Sequence, residues 1–221
     1  KANGLIERNQ VKLIRNKKQD VLLNQSLGKL NAVRDIFKAE YQSLENNLRQ
    51  LVLTDFIRKD FQIHLGDNSA QFTQLGVLSY FESIRREIIE QSWTVPVAVL
   101  TGSLVIIPTS AKEHLERLIP NSRLSYDVIG QLSQEDYLKV SISGSQHDLV
   151  TALTQLFQEG HIQVIIGTKS LLGEGWDAPC VNSLILASFV GSFMLSNQMR
   201  GRAIRVWPDN PNKTSNIWHL V

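Results

Sequence analysis

Short apolar runs alternate with longer amphipathic segments through most of this chain, and this alternation restricts the possible folds more than any other feature. The apolar runs are typical of buried strands, and the longer segments carry apolar residues at helical spacing. Strands are predicted at residues 51–56, 96–101, 137–142, 162–166 and 184–187, and a further apolar run covers 104–107. Helices are predicted at residues 28–48, 79–90, 110–120 and 146–159, and from about 192 into 198–205. This order indicates an α/β sandwich with a mostly parallel sheet.

Local signals set some of the helix boundaries. Ser110 and Glu113 have the spacing of a capping box, which predicts a helix start at that point. Ser145 is a candidate N-cap for the next helix, and Gly160 stands where a C-terminal cap belongs.

The chain of 221 residues is long enough for one large domain, and we expect residues 1–221 to form one. Residues 1–48 are predicted to be a charged, helical N-terminal extension. Residues 59–95 are predicted to be an insertion of loop and helix, with an irregular stretch at 59–75. The chain begins with Lys1 rather than Met and ends in an apolar stretch at 218–221, so we expect a domain excised from a longer protein.

Composition excludes several classes of protein. The formal net charge is only +2, so binding to nucleic acid would have to come from a local patch. The single cysteine, Cys180, excludes an internal disulfide and a cysteine-rich zinc site, and the five histidines lack metal-binding spacing. No metal site is therefore predicted. Since no apolar run approaches the roughly 20 residues that span a bilayer and the sequence shows no signal-peptide pattern, we expect a cytoplasmic location without membrane contact.

A glycine-rich loop, GTKSLLGEGWDAP, covers residues 167–179 directly after a predicted strand. In an open α/β sheet such a loop lies at the carboxyl edge, where ligands collect, although a plain connection between strands remains an alternative. Part of it fits the dinucleotide fingerprint, but a strand follows where a helix is required, and no Asp or Glu stands between Ala178 and Pro208. A Walker A loop is absent from the chain. Trp176 is interpreted either as a packing residue or as a platform for a nucleic-acid base.

The sequence QMRGRAIR, residues 198–205, combines arginines with a glycine that is costly inside a helix. At 100° per residue, Gln198, Arg202 and Arg205 fall within about 60° of one another, while Arg200 points the opposite way. Gly201 would let another surface approach closely. Two guanidinium groups on one stripe suit a phosphate, including the transferring phosphate met by an arginine finger. A surface salt-bridge face and a general RNA-binding patch are the alternatives.

Taken together, these residues resemble the C-terminal RecA-like domain of superfamily 2 helicases and translocases, in the DEAD/DEAH-like and restriction-enzyme-type branch. The sixth motif of that family, Q-x-x-G-R-x-x-R, matches Gln198, Gly201, Arg202 and Arg205. Its fifth motif matches Thr168, Gly175, Asp177 and Pro179. The strand at 51–56 and the turn at 100–103 are similar to the fourth motif and to the strand that follows it.

The resemblance implies a RecA-like, P-loop NTPase-type, three-layer sandwich that lacks its own P-loop. It also implies an ATP-dependent DNA or RNA helicase, with DNA favoured as the nucleic acid. ATP with Mg²⁺ would be shared with an N-terminal RecA-like domain of the same protein, so the fragment alone is expected to be inactive.

The same resemblance implies roles for individual residues. Arg202 and Arg205 would reach the ATP phosphates, and Gln198 would position the γ-phosphate or the attacking water. Gly175 would present its backbone near the phosphates, and Asp177 would accept hydrogen bonds from the ribose. Beyond the resemblance, we expect Glu174 to join this nucleotide-binding group by tying the arginine motif to the loop. Thr168, Gly102 and Ser103 would contact the nucleic-acid backbone. The alternative is a catalytically silent RecA-like module that binds nucleic acid or protein.

Overall fold

The computed structural model describes residues 6–7, 10–11, 27–169, 176–187, 197, 200–201 and 204–220. Its α-helices are α1 (Gly28–Leu44), α2 (Val77–Glu90), α3 (Lys112–Leu118) and α4 (Gln146–Glu159). Its strands are β1 (Ile6–Glu7), β2 (Gln10–Val11), β3 (Gln50–Thr54), β4 (Val97–Leu100), β5 (Val105–Pro108), β6 (Leu124–Asp127), β7 (Tyr137–Ile142), β8 (Val164–Thr168), β9 (Ser183–Leu186) and β10 (Asn216–His219).

One eight-stranded sheet forms the centre of the fold, in the order β10-β9-β3-β8-β4-β5-β7-β6. The five strands from β10 to β4 run parallel to one another. The remaining pairs, from β4 to β6, are antiparallel. The prediction of an α/β fold with a mostly parallel sheet is therefore confirmed, and the antiparallel edge is an addition that the sequence pattern did not reveal.

The central parallel strands β3, β4, β8 and β9 are buried at every position and mostly apolar, because helices cover both faces of the sheet. Along β3, Leu51 and Leu53 pack into one core, while Val52 between them packs into the other. The first core also contains apolar residues of α3 and α4, and the second contains those of α1 and α2. The molecule thus has the three layers that the sequence predicted.

Of the helix caps that the sequence predicted, those of α4 are present and the capping box at Ser110 is not. The Ser145 hydroxyl accepts a hydrogen bond from the His147 backbone N–H at 3.2 Å, and Gly160 ends the helix with a φ of +89°. Both caps of α4 are therefore confirmed. The capping box at Ser110 is wrong, because a 3-10 turn at Thr109–Ala111 precedes α3 and its N-cap residue makes no side-chain hydrogen bond.

The N-terminal part of the chain differs from a uniform helix. Residues 6–7 and 10–11 pair as short antiparallel strands. The helix α1 begins only at Gly28, and its residues Val33 and Phe37 are fully buried against the sheet. The helix is therefore a part of the sandwich itself.

The irregular segment 59–75 packs apolar side chains into the core beside α2 and is also held there by a buried carboxylate, Glu82. This side chain is fully buried and accepts hydrogen bonds from Arg85 Nε at 2.8 Å, Arg86 Nε at 2.9 Å and the Gly66 N–H at 3.2 Å. The two guanidinium groups in turn donate to oxygen atoms of Asn68, Asp67 and Ala70. These polar contacts help to fix the backbone of the segment. The segment also contains a 3-10 helix at Lys59–His64.

Cys180 is fully buried in the core on the α4 side of the sheet. Burial raises the pKa of its thiol to about 12, and only the thiolate reacts with disulfide reagents. We expect Cys180 to react with an aromatic disulfide reagent only after denaturation, which absorbance at neutral pH would measure with and without urea. Fast reaction of the folded chain would contradict this placement.

Among the described residues, no helix combines the length and the apolar character needed to cross a membrane.

Candidate functional site

The carboxyl ends of β3, β8 and β4 lie side by side, and polar residues follow each strand. Thr54 and Thr168 are register partners at the ends of β3 and β8. Just beyond them, the Lys169 backbone N–H donates to the Thr54 carbonyl at 3.1 Å, and the Lys169 ammonium forms an ion pair with Asp55. Thr168 is only 6% exposed, so it presents a small surface at this edge.

The turn after β4 is held by a residue that sequence reasoning passed over. Thr101 Oγ1 donates to the Leu104 carbonyl at 2.8 Å and accepts from the Leu104 N–H at 2.9 Å. This arrangement leaves Gly102 and Ser103 exposed, and a methyl group added at Gly102 would meet nothing within 4 Å. A threonine hydroxyl that bonds nearby backbone is a known turn signal, which the sequence T-G-S offered. The turn therefore presents two of the predicted binding residues to solvent at the same edge as Thr168.

The structure brings together Asp177 and Arg205, one residue from each of the two motifs. Arg205 Nη1 lies 2.7 Å from Asp177 Oδ2, and the two side chains are 54% and 53% exposed. An ion pair this exposed contributes about 0–1 kcal/mol. Arg205 is thus close to the glycine-rich loop, but its partner holds it only weakly.

The surroundings of Arg205 differ from the predicted helical stripe. Asn197, Arg200 and Gly201 are helical, whereas Ile204 lies in a turn and Arg205 in a bend. The orientation of Arg205 therefore follows from the bend and the ion pair, and not from the helical repeat. Arg200 does point elsewhere, since its Nε donates to His219 Nε2 at 2.9 Å.

Four of the predicted site residues, Gln198, Arg202, Gly175 and Glu174, lie outside the described residues. Their roles remain predictions.

Trp176 is a packing residue and not a base platform. Its side chain is 5% exposed in the core on the α4 side, and its Nε1 donates to Thr154 Oγ1 at 2.7 Å. The Thr154 hydroxyl donates in turn to the Val150 carbonyl at 2.7 Å. Trp176 therefore anchors the end of the glycine-rich loop to α4 and places Asp177 at the surface beside it.

An open pocket of about 830 Å³ lies between α4 and the segment that carries Asp177. Its wall includes three carboxylates, those of Glu159, Asp177 and Asp209. These acidic groups suit hydroxyl or amine donors, such as those of a ribose, more than they suit phosphates. In the described part of the chain, no three His, Cys, Asp or Glu residues are arranged to hold a metal ion.

Comparison with known proteins gives structural similarity alone. No family model matches the sequence, and no curated protein matches it. The chain is similar in structure to the C-terminal part of the Fun30 ATPase domain, with a TM-score of 0.47 and 14% identity over 94% of this chain and 43% of that one. It is also similar to the Pyrococcus furiosus Hef helicase domain, with a TM-score of 0.43 and 15% identity over 87% of this chain and 25% of that one. The chain spans less than half the length of either structure.

Proposed function

We propose that this chain is the C-terminal motor domain of an ATP-dependent nucleic-acid helicase or translocase. In this proposal it supplies arginine side chains to an ATP site that an N-terminal RecA-like domain of the same protein completes. It also contacts the backbone of the nucleic acid, with DNA favoured over RNA. The observation that carries the proposal is the contact between Asp177 and Arg205, which belong to two separate motifs of the resembled family.

The exposure of this ion pair supports a role in nucleotide binding. An arginine needed only for stability would gain more from a buried, bidentate partner. Among the described residues, Arg205 instead has one ion-pair partner, and more than half of its side chain is in solvent. A phosphate brought by a second domain would therefore be able to replace the Asp177 carboxylate at small cost. The freed carboxylate would then accept hydrogen bonds from ribose hydroxyls.

Closure of the two domains provides the motor step. Arg205 would gain its phosphate contact only when the N-terminal domain and its ATP approach, so ATP binding would favour the closed state. Hydrolysis would remove the γ-phosphate, and the closed state would then no longer be favoured over the open state. Mg²⁺ would be bound chiefly by the partner domain, because the described residues of this chain provide no cluster of ligands for it.

The carboxyl edge of the sheet supports the nucleic-acid contact. Thr168, Gly102 and Ser103 lie at the ends of the neighbouring strands β8 and β4, so one backbone segment would be able to reach all three. Hydroxyl and backbone N–H donors of this kind bind phosphates without reading sequence. The proposal therefore implies that the affinity for nucleic acid does not depend on the base sequence of the nucleic acid.

The test compares two purified proteins, this chain alone and the longer protein that we propose contains it. Phosphate release from ATP is measured with and without single-stranded DNA or RNA. We expect no turnover by the chain alone, and turnover stimulated by nucleic acid in the longer protein. Turnover by the chain alone would contradict the shared site. A longer protein that binds nucleic acid without hydrolysing ATP would favour the silent binding module.

A further inference from the structure

An exposed aromatic residue, Phe56, stands at the carboxyl edge just beyond β3. The chain leaves β3 at Thr54, and Ile57 turns inward against the core, while Phe56 is 54% exposed. A large ring left this open loses the burial free energy that a core position would give. Its position is notable because Thr54, two residues earlier, is the register partner of Thr168.

One cation is already stacked on this ring. The guanidinium carbon of Arg58 lies 4.6 Å from the centroid of the Phe56 ring. With the guanidinium on one side and more than half of the residue exposed, the ring still offers surface to a second planar group. A ring with a cation on one side is a favourable partner for a nucleic-acid base, because stacking on aromatic residues and cation–π contacts act together in single-strand binding.

The backbone conformation of Arg58 is uncommon for a residue other than glycine. Its φ is +52°, in the left-handed region that non-glycine residues seldom adopt. Its Nε is buried and has no hydrogen-bond partner among the described residues. Strain and unpaired donors of this kind concentrate at functional sites. Gly76 makes room for the arrangement, since a methyl group there would lie 2.7 Å from Arg58 Cγ.

Charge next to the ring suits a phosphate backbone. Arg58 and Lys59 come two and three residues after Phe56. Of the two nearby acidic residues, Asp55 and Asp60, the first is neutralised by its ion pair with Lys169. The patch therefore combines an open ring with a small excess of positive charge.

We propose that Phe56, backed by Arg58, is a stacking site for one base of a single-stranded nucleic acid. The site lies at the same edge as Thr168, so a strand whose phosphates meet the ends of β8 and β4 would place a base against the Phe56 ring. This inference rests on the proposed function and adds a contact to the bases, whereas the residues named above contact only the backbone. Because every base has a stacking face, the site does not select a sequence.

The test uses two 20-nucleotide probes, oligo-dT and an abasic strand of equal length that keeps the phosphates but lacks the bases. Affinities of this chain for labelled probes are measured by fluorescence anisotropy. We expect Phe56→Ala to weaken binding of oligo-dT by roughly tenfold and to change binding of the abasic strand by less than about twofold. Ile63→Ala is the matched control, because Ile63 is an exposed apolar residue at 68% in the adjacent 3-10 helix, and its loss should alter neither affinity.

The outcomes separate this inference from the proposed function. If the wild-type chain binds both probes equally and Phe56→Ala has no effect, the stacking site is wrong and the backbone contact stands. If the wild-type chain binds neither probe, both proposals fail, and a protein partner would be the better explanation of the exposed ring. Thermal unfolding of the variant checks folding, which the exposure of Phe56 leads us to expect unchanged.

Discussion

Replacement of Arg205 by alanine is expected to lower the ATP turnover of the longer protein by about 10³-fold or more. An arginine that stabilises the charge on a transferring phosphoryl group contributes rate factors of about 10³–10⁵. The side chain is 54% exposed and forms a single ion pair with Asp177, so its removal should leave the fold intact. Turnover is measured by phosphate release at saturating ATP, and nucleotide binding is measured separately with a fluorescent ATP analogue. Binding should remain measurable in the variant.

Arg200→Ala provides the matched control for this experiment. It removes another exposed arginine from the same motif, but one whose Nε bonds His219 on β10 and not the glycine-rich loop. We expect its turnover to stay within about threefold of wild type, a factor equal to less than 1 kcal/mol in activation free energy. Equal losses in both variants would mean that general positive charge matters and that Arg205 has no specific role. Unchanged turnover in Arg205→Ala would refute the proposed catalytic contact.

Replacement of Glu82 by alanine is expected to have the largest effect on stability, with a loss of about 3–5 kcal/mol in the free energy of unfolding. The fully buried carboxylate is the shared partner of Arg85 and Arg86, and Arg85 is itself only 7% exposed. Without Glu82, positive charge remains buried with no counter-ion. Urea denaturation followed by circular dichroism measures the change.

Glu90→Ala is the control for Glu82, because it removes a carboxylate at the exposed end of the same helix. Its unfolding free energy should change by about 0.5 kcal/mol at most. Hydrogen exchange gives a second readout, because the Gly66 N–H donates to Glu82 and the Asp67 and Ala70 carbonyls accept from Arg86, so residues 66–70 should lose protection first. A loss below about 1 kcal/mol for Glu82→Ala would show that the cluster does not hold this segment.

The sequence predicted the central strands well because strands buried on both faces form short runs of mostly apolar residues. Strands β3, β4, β8 and β9 are of this kind and were all found within a few residues. Strand β6, with its half-exposed alternation at the sheet edge, was missed. The antiparallel direction of β5 was also missed, although the four-residue connection of residues 101–104 is too short for a parallel crossover.

The candidate site was predictable only where a linear motif carried the information. Asp177 and Arg205 were each singled out by spacing, but their contact depends on how a loop and a bend meet in space. The choice between packing and base stacking at Trp176 depended on burial, which composition does not reveal. For the same reason Phe56 was assigned to a strand, while the structure places it beyond the strand end in solvent.

The central position of β8 has a consequence for how the chain reaches its native state. Strands β3 and β4 are neighbours in sequence but not in the sheet, because β8 inserts between them. Until residues 164–168 leave the ribosome, β4 presents one unpaired edge, and β3 is unpaired on both edges because its other neighbour, β9, comes later still in the chain. Unpaired strand edges of this kind can pair with other chains. Because β8 pairs with them only late, folding depends on contacts between residues distant in sequence and is expected to be slow. Truncation before β8 would also remove β9 and β10, so it would leave β3 without a partner strand beside the sheet β4-β5-β7-β6, and not a smaller domain.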